Sequence, residues 1–539
     1  MRNFKSCLKG ILPFFKIAKG KTLLCVCIGL IGVIASLAFV AVSKNLIDIA
    51  TGANDKPIMP FAIAMIGLML FQLLCKVSYN YIEGLNVVKT KMKIRKNLYG
   101  HVLNSEWNGQ ETFHSADTLS RLGYDVSLIV DFCCSRMPGI IITLFRLVAA
   151  SLFLLMMAPK LLWILLALMV VAIICSRLFF FTIRSLNDSI RQKESGIQAH
   201  LQETLQNRIV VLTISTAKRM VNRFAFLQKD MLKDVIKRLN CSSSAHIFMS
   251  LGFSSGYILA FLWGVFNIRS GAITFGVMTA FLQLVGQVQR PVAGLAKVIP
   301  NFLKVITSIE RVMDLQEMPV EKSDAPLHID IAPEIKINNL YFSYPKQQNL
   351  IFNNFSACFP AGKLSAIVGE TGSGKSTLTR LVLALLRPQS GTIFIDGHYA
   401  DTNLRCNFMY VPQGNSLFSG TIRENLLMAK ADASIDDMTT VLHHAAADFV
   451  FDLPDGLDST CSERGGGLSE GQAQRIAIAR GLLHEGNILI LDEATSSVDS
   501  QTEKLILLNL KSHYHHRKTI LFISHREAVV SEADNIVEL

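Results

Sequence analysis

Uncharged apolar stretches long enough to cross a bilayer dominate the first half of this 539-residue chain. Leu23 to Val42, Ile58 to Cys75 and Ser270 to Gln289 each approach the roughly 20 residues that a membrane-spanning helix needs. Met137 to Ala158 is interrupted only by Arg146, Leu161 to Ser176 continues past Arg177 to Ile183, and Cys241 to Ile268 carries nothing ionisable except His246. Six transmembrane helices are expected. With 50% hydrophobic and 18% charged residues the chain is too apolar for a soluble enzyme and too ordered in composition for a disordered one. The first run is not expected to be a cleavable signal, because it is long and tight links such as Ala158-Pro159-Lys160 point to further spans behind it.

Basic residues set the orientation, since Lys and Arg accumulate in loops that stay cytoplasmic. Arg2, Lys5, Lys9, Lys16, Lys19 and Lys21 precede the first span; Lys89, Lys91, Lys93, Arg95, Lys96 and Arg121 follow the second; a richer series from Arg184 to Arg238 follows the fourth. A multi-pass protein of the cytoplasmic membrane is expected, with both termini cytoplasmic. This distribution accounts for much of the net charge of +11 without nucleic acid as a partner. The two inner loops, roughly 83–136 and 184–240, lack Pro and keep good helix formers, so the helices should run on into the cytoplasm. They should turn near Trp107, Asn108, Gly109 and Gln110, and near Gln206 to Val211. The eleven cysteines show no C-x-x-C or metal spacing and read as reduced, mostly small apolar residues.

Ionisable groups inside spans are expensive and therefore suspect. Lys44, Lys76 and Arg146 are candidates for a cavity that welcomes an anionic or zwitterionic amphiphile. Lys44 also stands four residues from Asp48, a spacing at which the two would pair on one helix. Gln283, Gln287 and Arg290 recur at helical spacing, as a wet face or a dimer seam would require.

Beyond Val312 the composition changes. Residues 1–315 read as the transmembrane domain, 316–333 as a linker punctuated by Pro319, Pro326 and Pro333, and 334–539 as a cytoplasmic α/β domain. Leu364 to Val368 is a buried strand followed by Gly369-Glu370-Thr371-Gly372-Ser373-Gly374-Lys375-Ser376, with Thr377 next. This fits the strand, glycine-rich loop and helix that cradle phosphates. Backbone N–H groups converge on the anion, Lys375 neutralises its outer oxygens, and Ser376 suits Mg²⁺. Ile488 to Leu491 is a second apolar strand, ending in Asp492-Glu493. Asp492 would hold Mg²⁺ through its hydration shell while Glu493 polarises the water that attacks the γ-phosphate.

These residues resemble the ATP-binding cassette family, and the spans ahead of them resemble its exporter-type half-transporters. Leu468-Ser469-Glu470-Gly471-Gln472 is similar to the family signature, Gln413 in Val411-Pro412-Gln413 to its glutamine loop, and Ser496-Ser497-Val498-Asp499 to the loop after the second acidic motif. His525 in Ile523-Ser524-His525-Arg526 resembles the switch histidine, and Tyr344 in Phe342-Ser343-Tyr344-Pro345 the aromatic that stacks on adenine. Thr421 to Asn425 and Glu463-Arg464-Gly465 resemble exporter flanks of a helical signature subdomain, and Ser120-Arg121-Leu122 with Asp125-Val126 the segment after a first coupling helix.

The resemblance implies a membrane helical bundle followed by a P-loop ATPase domain that uses ATP and Mg²⁺. Ser376, Gln413 and Asp492 would serve the metal, and Lys375, Glu493 and His525 catalysis. It also implies that Gln472 and Asp499 are cofactor-binding and that the signature residues Ser469 and Gly471 face the nucleotide of an opposite protomer, so a second half-transporter is needed. A homodimer is favoured over a heterodimer because every catalytic position matches. Glu470 departs from the usual glycine, and the chain reaches Leu539 soon after the histidine loop, where a helical tail is expected. The expected activity is ATP-driven export or flipping of a lipid, peptide or drug-like amphiphile. Import of a metal chelate and regulation of a channel or sensor stay open. A fused peptidase is not expected, because the first span begins near Leu23.

Overall fold

The computed structural model describes residues 4–107, 115–295, 298–321, 325–344, 349–462 and 467–539. Asn108 to Gln110, Pro345 and Glu463-Arg464-Gly465 therefore lie outside the described residues. Long helices make up the apolar half: Phe4–Ala50, Ile58–Leu103, Met137–Met157, Pro159–Gln206, Ala217–Arg269 and Phe275–Leu295. Four of them hold 47, 46, 48 and 53 residues. At 1.5 Å per residue they reach roughly 70–80 Å, more than twice the hydrocarbon thickness. Among the described residues four stretches are long and apolar enough to cross a membrane: Pro13–Ala50, Ile58–Leu103, Asp117–Met157 and Ala217–Arg269. The remaining two expected spans fall in Pro159–Gln206 and Phe275–Leu295, which are helical but are not among those four.

Local backbone chemistry moves two expected boundaries. The last span begins at Phe275 rather than Ser270, because Gly271 adopts φ +72° in a turn that separates it from Ala217–Arg269. The reversal expected at Gln206 to Val211 is instead two breaks around a short helix, Arg208–Thr213, the second marked by Ser215 at φ +54°. Ahead of Pro159, Ala158 takes φ −154°, as a residue before proline must leave the helical region.

The chain forms two compact units. The first comprises Met1–Tyr99 with Leu119–Gln316, and the second Gly100–Thr118 with Glu317–Leu539. The segment Gly100–Thr118 thus groups with the polar half instead of with residues 1–315. Backbone pairing is the cause: Glu106 N–H donates to Pro319 O at 2.8 Å and Glu321 N–H to Asn104 O at 2.9 Å.

Within the first unit, Val40, Leu154, Phe281, Leu284 and Val288 form one buried cluster, and Phe14, Ile94, Ile129, Val305 and Ile309 another. Asp48 accepts the Gly276 N–H at 3.0 Å and makes no ion pair with Lys44 among the described residues. Its carboxylate stands at the first turn of Phe275–Leu295, where helix N–H groups favour an anion. Gln283 and Gln287 donate to Ser43 and Ser36 at 3.4 and 3.3 Å, so the polar face is turned to the first helix. Pro159–Gln206 and Ala217–Arg269 pack against each other, with Lys193 Nζ 2.8 Å from Asp230 and 2.9 Å from Asp234.

Two π-helical turns, Arg121–Asp125 and Phe132–Arg136, interrupt the helical run 115–157 and bring polar side chains into the second cluster. Asp125, 2% exposed, accepts from Ser308 Oγ at 2.8 Å and ion-pairs with Arg311 at 2.9 Å. Arg121 donates to Arg311 O at 2.6 Å and lies 3.3 Å from Asp314.

The second unit carries a five-stranded parallel sheet in the order Asn535–Glu538, Leu364–Val368, Thr519–Ile523, Ile488–Asp492, Phe408–Val411. Its central strands are apolar on both faces, as a parallel sheet covered on both sides requires. A four-stranded antiparallel sheet runs Phe352–Phe359, Ile335–Phe342, Ser390–Ile395, His398–Tyr399. The helices Ile422–Leu427, Ile435–His444 and Glu470–Leu483 pack on the larger core.

Replacing Asp125 by alanine deprives Ser308 and Arg311 of a buried acceptor. It should destabilise the purified protein by about 3–5 kcal/mol, against about 1 kcal/mol for Ser308→Ala. Thermal unfolding in detergent measures both, and equal shifts would remove the carboxylate from its structural role.

Candidate nucleotide site

Four strands of the parallel sheet deliver the site at their C-terminal ends. After Val368, Gly369, Gly372 and Gly374 take φ of +155°, +92° and +104°. At Gly374 a Cβ would meet Ile351 Cγ2 at 2.7 Å, so the loop needs glycine there for space as well as conformation. Lys375–Val382 is the helix that follows. Lys375 is 7% exposed and donates to Gly369 O and Glu370 O at 2.8 and 2.9 Å, folding over its own loop. Ser373 Oγ is buried with no hydrogen-bond partner among the described residues, a polar atom suited to an incoming oxyanion.

Asp492, 3% exposed, accepts from Tyr410 OH at 3.3 Å. Burial pushes its carboxyl above the usual carboxylate range, opposed by hydrogen bonds from Tyr410 and Ser376 and by the Arg380 charge. Ser376 and Asp492 thus stand near enough for the hydroxyl to act on the carboxyl, oxygen donors of the kind Mg²⁺ takes alongside waters and phosphate. Burial and the neighbouring carboxylate push the Tyr410 phenol upward, so it remains a donor at neutral pH.

Glu493 sits at φ +48°, a region costly for a residue with a side chain. Its N–H donates to Ile523 O at 3.0 Å, which ties the strained residue to the neighbouring strand. Its carboxylate accepts from Gln413 Nε2 at 2.5 Å and lies 3.5 Å from His525 Nε2. The glutamine-loop residue, the acid and the histidine are therefore one contact cluster. Tyr344 belongs to the phosphate-loop side: its hydroxyl lies 3.2 Å from Thr377 Oγ1 and accepts from Arg380 Nη1 at 3.0 Å.

The signature residues form a separate group. Ser469 caps Glu470–Leu483 by a reciprocal box with Gln472, at 3.2 and 2.9 Å. A Cβ on Gly471 would stand 2.6 Å from Ser497 O, so this helix start and the loop 496–499 approach as backbone against backbone. Gln474 donates to Ser496 Oγ at 3.0 Å, and Asp499 caps Ser500–Tyr514 through the Gln501 and Thr502 N–H groups. No hydrogen bond joins Ser469, Gly471, Gln472 or Asp499 to the phosphate loop among the described residues.

Sequence reading missed Tyr410, Arg380 and Arg526. Arg526 donates to Val498 O and Ser496 O, both at 2.7 Å, and to the buried Glu503 at 3.2 Å, fixing the loop 496–499 beside His525. Its adjacency to His525 was a usable signal; Tyr410 and Arg380 carried none, because their partners are distant in sequence.

A family model described as "ABC transporter transmembrane region" matches residues 22–292, and one described as "ABC transporter" matches 352–496. The ATP-dependent lipid A-core flippase of Aliivibrio fischeri is 27% identical over 94% of this chain and 88% of that protein. The alpha-hemolysin translocation ATP-binding protein HlyB of Escherichia coli O157:H7 is 30% identical over 88% of this chain and 68% of its own length. The leukotoxin export ATP-binding protein LtxB of Aggregatibacter actinomycetemcomitans is 38% identical over 51% of this chain, and the match spans only 40% of that protein. Among solved structures, a bacterial Atm1-family ABC exporter with ATP bound matches with a TM-score of 0.79 at 24% identity, over 96% of this chain and 94% of that one, which establishes the likeness of fold. The chain therefore belongs to the ABC transporter family, joining in one polypeptide a membrane region and an ATP-binding region of the exporter kind.

Proposed function

We propose that this protein, as a dimer in the cytoplasmic membrane, hydrolyses ATP to export or flip an amphiphile such as a lipid, peptide or drug-like molecule. The observation that carries the reading is the strained Glu493, held between Gln413 and His525 and next to Asp492, in a chain whose other half is built of long apolar helices. The relatives' printed activities, lipid A-core flipping and toxin export, support the class of amphiphilic cargo.

In this reading six spans form the membrane domain, and the Lys and Arg distribution keeps the ATPase unit and both termini cytoplasmic. Gly369 to Thr377 wrap the phosphates with their N–H groups, Lys375 leaves its carbonyl partners for the outer phosphate oxygens, and Tyr344 lies against the base. Ser376, Asp492 and Gln413 would hold Mg²⁺, which supplies charge neutralisation on the phosphates when bound. Glu493 takes a proton from the attacking water, and His525 steadies the oxygen on which charge develops. Since Ser469, Gly471, Gln472 and Asp499 make no hydrogen bond to the chain's own phosphate loop among the described residues, they are assigned to the nucleotide of a second copy. Two-fold pairing then gives two sites.

Glu493→Gln should keep ATP affinity within about twofold while turnover falls by 10²-fold or more, the scale of a lost general base. It should also trap an ATP-bound dimer. Equilibrium ATP binding, single-turnover hydrolysis and crosslinking in lipid nanodiscs read these, and unchanged turnover would sink the assignment. Hydrolysis by the native protein, stimulated by lipids, peptides or chelates in turn, distinguishes the cargo classes.

Gly471→Ala sets a methyl group against Ser497 O and must displace the loop 496–499. ATP affinity should stay near the native value while cooperative hydrolysis drops about tenfold or more, the scale of a misplaced catalytic constellation. A matching loss of affinity would instead place Gly471 against its own chain's nucleotide.

A further inference from the structure

Arg380 lies on the helix that follows the phosphate loop, and it has partners on two sides. One edge of its guanidinium donates to Tyr344 OH at 3.0 Å, and one face covers the Trp107 ring at 5.0 Å from its centroid. Such a planar cation uses its edge and its face at once, which a lysine ammonium does not. Tyr344 is further confined by Thr377 Oγ1 at 3.2 Å and by Phe342, whose ring stands edge-on at 5.2 Å. The far end of the tyrosine ring is thus held by the phosphate-loop helix. Trp107 is placed independently: its neighbour Glu106 donates its N–H to Pro319 O at 2.8 Å and pairs with Arg387 at 3.5 Å, and Trp107 itself packs on the second unit's apolar core. All of these residues belong to the second compact unit.

We propose that Arg380 is a positioning residue that links the Tyr344 ring to Trp107, so that binding of the adenine base and placement of the described stretch 100–107 are energetically coupled. The proposal rests on the reading of Tyr344 as the base platform. Its physical content is one shared guanidinium. When Trp107 covers it, the guanidinium is fixed and so is the tyrosine hydroxyl; when Trp107 withdraws, the guanidinium regains water and the ring loses its tether. Linkage makes the effect reciprocal: a base stacked on Tyr344 favours Trp107 in place by the same factor. The phosphates enter only indirectly: their cradle uses Lys375 and backbone N–H groups, and Arg380 reaches that side through its charge at Asp492 alone, so both probes are compared without Mg²⁺.

The full-length protein in nanodiscs tests this with two probes, ATP and inorganic tripolyphosphate, which lacks the base. Arg380→Met and Trp107→Ala should each weaken ATP binding about three- to fivefold, the size of one cation–π contact or hydrogen bond. Tripolyphosphate affinity should stay within about twofold of native, which also reports that each variant has folded. In the Arg380→Met background, Trp107→Ala should cause no further loss. With Trp163 and Trp263 replaced by phenylalanine, Trp107 is the remaining tryptophan of the three. Its emission should shift on adding ATP and not on adding tripolyphosphate. Additive losses, equal losses for the two probes, or the same emission response to both would overturn the coupling. Tyr344→Ala separates the two layers: unchanged ATP affinity there removes the platform reading and the proposal with it, whereas a large loss there with none in Arg380→Met or Trp107→Ala removes the coupling alone.

Discussion

Parallel pairing in one buried sheet decides where the chemistry of the second unit stands. Ile523 pairs with Asp492 and Leu491 with Val411, so the strands end at one edge and release their next residues together. Gly369 follows Val368, Gln413 follows Val411 by two, Glu493 follows Asp492, and His525 follows Ile523 by two. A one-residue slip in any strand would carry one of these residues to the wrong level and turn every side chain of that strand to the opposite face. The strands are buried on both faces, which makes such a slip prohibitive. The geometry of the candidate site is therefore inherited from hydrophobic burial, and the loops only complete it.

Glu493 shows what that rigidity is used for. A non-glycine residue at φ +48° is unfavourable by about 1–3 kcal/mol, and it persists only where the surroundings over-determine it. Here its N–H is bonded to Ile523 O, and its carboxylate is met by Gln413 and His525. Those contacts come from both neighbouring strands of the same sheet. The carboxylate thus lies across the strand ends, between residues that follow the two flanking strands.

How far this was legible in the sequence follows from the range of each interaction. The glycine-rich loop and the apolar strand ahead of Asp492 are local patterns, and short-range chemistry fixes them: glycines at positive φ, a buried strand, a capped helix. The apolar runs are equally plain, because a bilayer demands length and composition and nothing finer. What sequence reading missed depends on contacts between distant segments. Asp48 looked like a partner for Lys44 at four residues' spacing, yet it caps a helix that begins at Phe275. Trp107 stands outside helix after Leu103, as the turn residues suggested, but its packing on the second unit's core, next to Glu106 paired with Pro319, had no local signal. Arg380 and Tyr410 gave no signal, since a long side chain's partner depends on the fold and not on its own surroundings in the chain.

Glu470 joins these levels. It is exposed in the first turn of Glu470–Leu483, where a carboxylate stabilises a helix by about 0.3–1 kcal/mol through the aligned N–H groups. Those same N–H groups are what a helix start offers to a phosphate. The capping box already occupies the Gln472 N–H with Ser469 Oγ, so the anion-attracting capacity at this terminus is shared among Ser469, Glu470 and any incoming oxyanion. Because Gly471 lies against Ser497 O, the terminus cannot shift further toward the loop 496–499 to relieve that competition. Only the Glu470 side chain is free to swing toward solvent, where water screens it. A carboxylate at this position is thus compatible with an anion nearby through its exposure, and the helix keeps its stabilising charge without presenting it head-on.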